Sequence, residues 1–277
     1  MFKKQYICIG LLFYCSFLAP SFSDENKDDI TLKNYSLQNS IKVKLPGSEA
    51  SGIAYDPKIN SFFIHEDSNN TNQLIVVDDN GKFKYRITLM PLKNNDWEDI
   101  TTNREGRFWI IDSRRSLYQF DIDINGQLVP DSIISYSLPD ELAGKNIESI
   151  DYSDVDKSIV AIFKGSDNLI YKFMPGDKNA IYLGKIPESL NILPSALTHN
   201  KLSGNYFVLA FSGKKIVEFT PDFKKILNVM PLPKRNFYSF QAEGIDFDDD
   251  NNLVIVLEKP WYSLFGHSKF IKMYYKK

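Results

Sequence analysis

Cysteine is nearly absent from this chain: Cys8 and Cys15 are the only two, and both lie within the first 15 residues. The rest of the chain therefore has no disulfide framework, no thiol nucleophile and no thiolate metal site. Histidine is almost as scarce. His65, His199 and His267 are too scattered to suggest zinc, which favours His and Cys ligands. The sequence contains no G-x-S-x-G elbow, Walker loop, dinucleotide glycine pattern or H-E-x-x-H motif. Charge of one sign is missing too. Lys and Arg number 33 against 35 Asp and Glu, a net charge of -2 that gives no pull toward nucleic acid or anionic membrane.

A long hydrophobic run is also lacking. Residues 6–19 are mostly apolar but count only 14, short of the about 20 needed to span a bilayer. Lys3 and Lys4 precede this run; Pro20 and the small residues around Phe22 follow it. The pattern is that of a signal peptide over residues 1–23, cut after Ser23, or else of an uncleaved inner-membrane anchor. Either reading places the protein in the periplasm or outside the cell, with membrane association only through this segment. Residues 24–39 then read as a linker and residues 40–277 as one folded domain.

What the chain does have is repetition. A small or acidic residue, a small residue and an aliphatic anchor recur as Ser51-Gly52-Ile53, Glu98-Asp99-Ile100, Glu148-Ser149-Ile150, Ser195-Ala196-Leu197 and Glu243-Gly244-Ile245. The anchors fall at positions 53, 100, 150, 197 and 245. That near-even interval is the length of a four-stranded propeller blade. A second apolar strand follows each anchor after roughly ten residues, then a third and a fourth, with Gly or Asp turns such as Asp79-Asn80-Gly81 between them. The fifth unit lacks a fourth strand. The alternating Ile41-Lys42-Val43-Lys44-Leu45 can supply it and close the ring. The pattern predicts an all-β, five-bladed β-propeller, and a sixth blade would need about 45 more residues. The competing architecture is a β-sandwich with accidental periodicity.

In a propeller the first strand of each blade lines the channel, so the strand starts converge at one face. Ser51, Glu98, Glu148, Ser195 and Glu243 stand there. Just after the second strands come His65, Glu66, Asp67, Asp112, Arg114, Arg115, Lys164, Glu258 and Lys259. Like charges crowded on a small ring raise one another's pKa, and a hard divalent cation relieves them. Calcium, with about 6–8 oxygen ligands, suits carboxylates best. Glu98, Glu148 and Glu243 are the first candidate ligands; Glu66, Asp112 and Glu258 are the second. The alternative is a salt-bridge network in which Lys164, Lys259, Arg114 or Arg115 neutralises the ring. His65, Asp67, Trp97, Arg114, Arg115, Lys164, Lys259 and Trp261 form the candidate surface for a small ligand or protein partner, Trp261 on the long fifth-blade loop. The stretch 121–126 copies the start of an EF-hand loop, but Ser132 stands where the closing Glu belongs, so it reads as a hairpin turn. The acidic turn 248–252 falls on the opposite face and is expected to be solvated.

Gln241-Ala242-Glu243-Gly244-Ile245-Asp246-Phe247-Asp248, then residues 253–258 and Pro260, resemble the last blade of the SdiA-regulated (YjiK/CarP-like) propellers, with their A-E-G motif and S-E-P strand end. Ser203-Gly204-Asn205-Tyr206-Phe207-Val208-Leu209 resembles that family's fourth blade, and Ser51-Gly52-Ile53-Ala54-Tyr55-Asp56-Pro57 its first. The resemblance implies an exported five-bladed propeller that holds calcium, here through Glu98, Glu148 and Glu243. It also implies a role in calcium-responsive signalling or homeostasis rather than a known reaction. Asp99 and Ser149 depart from the glycine that follows each glutamate, and Trp97-Glu98-Asp99 resembles a neighbouring group of secreted propellers with a W-E-D motif. A second functional class is a calcium-dependent lactonase or esterase-like hydrolase, in which His65 or a carboxylate would activate water. A third is a purely structural interaction module.

Overall fold

The computed structural model describes residues 30–276 apart from 48, 68–71, 93–95, 113–115, 143–144, 166, 213, 233–239 and 260–266. The signal segment, Arg114, Arg115 and Trp261 lie outside the described residues.

Twenty strands form five antiparallel four-stranded sheets, each a meander in sequence order except the last. The first blade spans 50–88, the second 97–137, the third 146–185 and the fourth 194–231. The fifth takes three strands from 241–273 and its fourth from Ser40–Lys44, which pairs with Lys269–Met273 in the register Val43 to Phe270. The predicted ring and its closure are both present. Ile122 bridges Leu128 around the 123–126 turn, and Asp123 accepts from the Asn125 and Gln127 amides. The EF-hand look-alike is a hairpin turn.

The inner strands are apolar at nearly every position, because successive side chains point to opposite faces and both faces of a blade pack against neighbouring blades. The core is accordingly a set of inter-blade clusters. Phe63 meets Phe108 between the first and second blades at 4.7 Å between ring centroids. Trp109 stacks on Tyr152 between the second and third at 4.4 Å, and Phe207 meets Phe247 between the fourth and fifth at 4.9 Å. Phe62 against Phe270 joins the first blade to the fifth at 5.3 Å. Each such pair contributes about 0.5–1.5 kcal/mol beyond its area burial. Between the third and fourth blades the cluster is aliphatic around Val160, Ile162, Leu197 and Val208.

A belt of buried polar groups runs inside this apolar frame, one residue or so past each anchor. The Tyr55 amide of the first blade donates to Asp246 Oδ2 of the fifth at 2.6 Å. The Gly106 amide of the second blade donates to Asp56 Oδ2 of the first at 2.7 Å. Thr101 Oγ1 of the second blade donates to Asp151 Oδ1 of the third at 3.2 Å, and Asp151 Oδ2 meets His199 Nδ1 of the fourth at 2.5 Å. Thr198 of the fourth blade donates to Asp246 Oδ1 at 2.9 Å and completes the circle. Arg104, on the turn after the first strand of the second blade, reaches across to the fifth and donates to Asp246 at 3.1 Å and to the Phe247 carbonyl at 2.7 Å. Every blade is thus tied to the next by a carboxylate.

Two stretches differ from expectation. Residues 30–39, read as a linker, form two 3₁₀ turns, Leu32–Asn34 and Leu37–Asn39. Ile30, Leu32 and Tyr35 are buried in the cluster between the fourth and fifth blades, and the Leu32 amide donates to the buried Glu218 at 3.0 Å. In the acidic turn, Asp248 is not solvated. It is 4% exposed and pairs with Lys272, itself 3% exposed, at 2.7 Å.

The belt makes a sharp prediction. Removing one partner of a buried charge pair costs about 3–5 kcal/mol. Asp246→Ala should therefore lower the unfolding free energy in urea by about that amount. Asp249→Ala, which removes an exposed carboxylate 3.9 Å from the same Arg104, should cost no more than about 1 kcal/mol.

Candidate functional site

The opposite end of the channel is built differently. In all five blades the ladder between first and second strands shifts register at one place: between Ala50 and Ile53, Trp97 and Asp99, Ile147 and Ser149, Pro194 and Ala196, and Ala242 and Gly244. Four of the shifts skip one residue that the sequence placed at the channel mouth, Glu98, Glu148, Ser195 and Glu243, and the first passes over Ser51 with Gly52, opposite His65. A bulge takes its residue out of the ladder and re-aims the side chain. The two serines use their hydroxyls on the next blade, Ser51 on the Glu98 carbonyl at 3.4 Å and Ser195 on the Ala242 carbonyl at 2.7 Å. The three glutamates are left without such a tie, with Glu148 in electrostatic reach of both Glu98 and Glu243.

Their electrostatics show the convergence. Burial pushes the Glu98 carboxyl up to about 8, helped by Glu148, Asp96 and Asp67. Burial also carries Glu243 well above the ordinary range, with Glu258 and Glu148 adding to it. Glu148 is raised by burial against the pull of Lys164, with which it forms an ion pair through Oε1. Its other oxygen, Oε2, is buried and accepts no hydrogen bond. Asp67 is raised by burial and by Asp96, to which it is hydrogen-bonded, a contact that two carboxyls make only while a proton lies between them. Asp96 is held at φ 86°, a left-handed conformation that side chains other than glycine rarely adopt.

The remaining sequence candidates divide. Glu258 joins the acidic face; burial raises it, while Gln241 and Lys259 pull it down. Glu66 stands apart, paired with Arg86 at 2.8 Å. Asp112 is 2% exposed and accepts the Ser116 amide at 2.9 Å, so it caps its own turn. Trp97 and His65 are fully buried behind the ring, their rings 6.3 Å apart. Burial drives the His65 imidazole down to about 3, and neither nitrogen has a hydrogen bond of good geometry. A Cβ at Gly52 would sit 2.5 Å from His65 Nε2 and 2.7 Å from Asp99 Oδ1, which explains why the repeat needs a small residue there.

Sequence reasoning missed Asp96, whose only local signal was its place before the Trp-Glu motif, and Asp99. Asp99 fills the small position of the second blade and crosses to the third, accepting the Ile150 amide at 3.0 Å. The two ends of the channel are separated by the anchors. On the belt side, Ile53, Ile100, Leu197 and Ile245 share the lining of a cavity of about 10 Å³ with Thr101, Arg104, Asp151, Thr198, His199 and Asp246, room for about one water.

A metal ion fits the donor set by chemistry: hard carboxylate oxygens, one of them buried and unbonded. Among the described residues, no three carboxylates or histidines are grouped as a ready-made metal site.

The profile of the SdiA-regulated family matches residues 27–265. The chain belongs to that family. No curated protein matches it. Among solved structures, this SdiA-regulated propeller is similar to the Myxococcus xanthus glutaminyl cyclase, at TM-score 0.57 and 11% identity, covering 84% of this chain and 96% of that one. It is similar to a gluconolactonase from Xanthomonas campestris, at TM-score 0.51 and 12% identity, covering 84% and 89%. It is also similar to a luciferin-regenerating enzyme, at TM-score 0.52 and 11% identity, covering 85% and 95%. At such identities the likeness is one of fold.

The raised carboxyls fix the sign of a pH effect. The folded protein holds a proton on Glu98 between its ordinary 4.5 and about 8, where the unfolded chain has released it. Without added metal, stability therefore falls as pH rises through that window. In chelator, Glu98→Gln should remove a loss on the order of 2 kcal/mol between pH 5 and pH 8, allowing for solvent screening. Thermal melts of both proteins across that range check it; parallel curves would sink the assignment.

Proposed function

We propose that this propeller is an exported, non-enzymatic binding protein that holds a divalent cation, calcium by its chemistry, at Glu98, Glu148 and Glu243. The observation that carries the reading is the ring itself. Three bulges present three carboxylates to one another, their protonation equilibria are pushed upward, and one buried oxygen lacks a partner. Carboxylates in that condition are stabilised by a hard cation. Glu258 and the Asp67–Asp96 pair lie around the same mouth and extend its negative field. When bound, the ion supplies positive charge and a fixed coordination shell. The chain's own part is to hold the carboxylates on rigid inner strands and to exclude water from below with the aliphatic anchors.

Calcium-responsive signalling through a ligand or protein at this face is the role the family membership favours. The lactonase-like alternative draws no support from His65, which lies buried behind Gly52 and cannot reach a water at the mouth.

The test is the melting temperature of the purified protein with calcium and with chelator. At 100 times the dissociation constant the stabilisation is about 2.7 kcal/mol, a rise of about 5–10 °C for a domain of this size. Glu148→Gln and Glu243→Gln should each remove most of that rise. Wild-type protein that melts identically in calcium and chelator would refute the reading.

A further inference from the structure

Lys164 is the described cation that all three ring glutamates feel. It ends the second strand of the third blade and pairs in register with Asn146, which opens the first strand just before Glu148. From there its ammonium turns inward onto Glu148 Oε1. The two partners are unequally buried. The Lys164 side chain is 41% exposed and that of Glu148 is 9%. The carboxylate is therefore fixed in the wall while the lysine, on a flexible four-carbon stem, reaches it from solvent. Glu148 Oε2 is buried and bonded to nothing, so this carboxylate is only half satisfied by the lysine. Lysine supplies one charge where the ring presents three carboxylates. Arg86 and Lys214 are engaged elsewhere, the first on Glu66 and the second on the Phe240 carbonyl.

We propose that Lys164 is a built-in competitor for the divalent cation, an ammonium that occupies the Glu148 side of the ring when no ion is present and swings out to solvent when one binds. The proposal rests on the cation-binding reading above. It accounts for a feature of the ring: of its three glutamates, Glu148 is the one paired with a lysine. It also sets the affinity: an ion must displace a paired ammonium before it gains Glu148. The site then responds to calcium at higher concentrations than a bare carboxylate ring would, and without the ion it is partly compensated. An exposed ammonium can leave at small cost, because the pair gives up an interaction that water largely replaces.

Calorimetric titration of calcium into the full protein and into Lys164→Gln tests this. The variant should bind at least ~10-fold more tightly, the size expected for removing a unit charge a few ångströms away at the effective dielectric of a partly wet site. Generic loss of a nearby positive charge is separated from displacement by a second readout. In the wild-type protein, acylation of Lys164 by an amine reagent, followed by mass spectrometry, should rise several-fold at saturating calcium. Labelling of Lys172, paired with Asp156 on the same blade, should stay constant. If Lys164→Gln binds no more tightly than wild type, or if Lys164 labelling is insensitive to calcium, the competitor role is wrong and the cation-binding reading survives. If wild type does not bind and Lys164→Gln does, the proposed function fails while the competitor role stands, with lysine as the permanent occupant. If neither binds, both fall.

Discussion

Asp246 holds the propeller closed. It accepts the Tyr55 amide from the first blade, the Arg104 guanidinium from the second, the Thr198 hydroxyl from the fourth and the amide of its own neighbour, Phe247. A ring of sheets must be closed where its last blade meets its first, here by the N-terminal strand, by packing and by bonds like these. The N-terminal strand closes the outside of the fifth blade. Asp246 and the belt around it close the inside. A carboxylate is suited to this because it can accept several donors at once, and because buried amides left without an acceptor would each cost about 1–3 kcal/mol. Burial raises the Asp246 carboxyl, and Arg104 with the two backbone amides opposes that shift.

The contrast with the other mouth is where function enters. Both ends of the channel carry buried acids, yet they differ in how those acids are satisfied. At the belt, Asp56, Asp151 and Asp246 sit among amides, hydroxyls, a histidine and an arginine. At the bulged end, Glu98 and Glu243 face other carboxylates, and Glu148 has only a lysine reaching in from solvent. A structural acid is normally supplied with donors by its own fold. Acids that lack them are the ground on which the cation-binding proposal rests.

The frame was legible in the sequence because it is written in period. Aliphatic anchors at near-even intervals, each followed by further apolar strands, close naturally as a ring, and Ile41 to Leu45 supplied the one strand the fifth unit lacked. Ring membership was legible for the same reason: equivalent positions in five repeats must converge, so Glu98, Glu148 and Glu243 could be placed together. What lay beyond the repeat could not be read. Arg104 reaches from the second blade to the fifth, and nothing local in a turn reading Asn-Arg-Glu-Gly says so. Asp248 looked like one of three solvated acids, whereas Lys272, on the last strand of the chain, lies buried against it. His65 and Trp97 were drawn to the mouth by strand counting, whereas both side chains are fully buried, their rings 6.3 Å apart.

The bulge itself explains why the same sequence position yields a serine tie in two blades and a channel-facing glutamate in three. Out of the ladder, a side chain at this place points along the channel wall toward the next blade's first strand. A serine is short enough to stop at the neighbouring carbonyl, as Ser51 and Ser195 do. A glutamate overshoots that carbonyl and ends in the channel mouth. The residue after it must then be small, or must itself become a tie. Gly244 takes the first course, because a Cβ there would meet Val256 at 2.6 Å; Gly52, which follows Ser51, is small because a Cβ there would meet His65 at 2.5 Å. Asp99 takes the second, sending its carboxylate to the Ile150 amide of the third blade. The departure from glycine in the second blade therefore belongs to the frame, and it leaves Glu98 presented to the ring as Glu243 is.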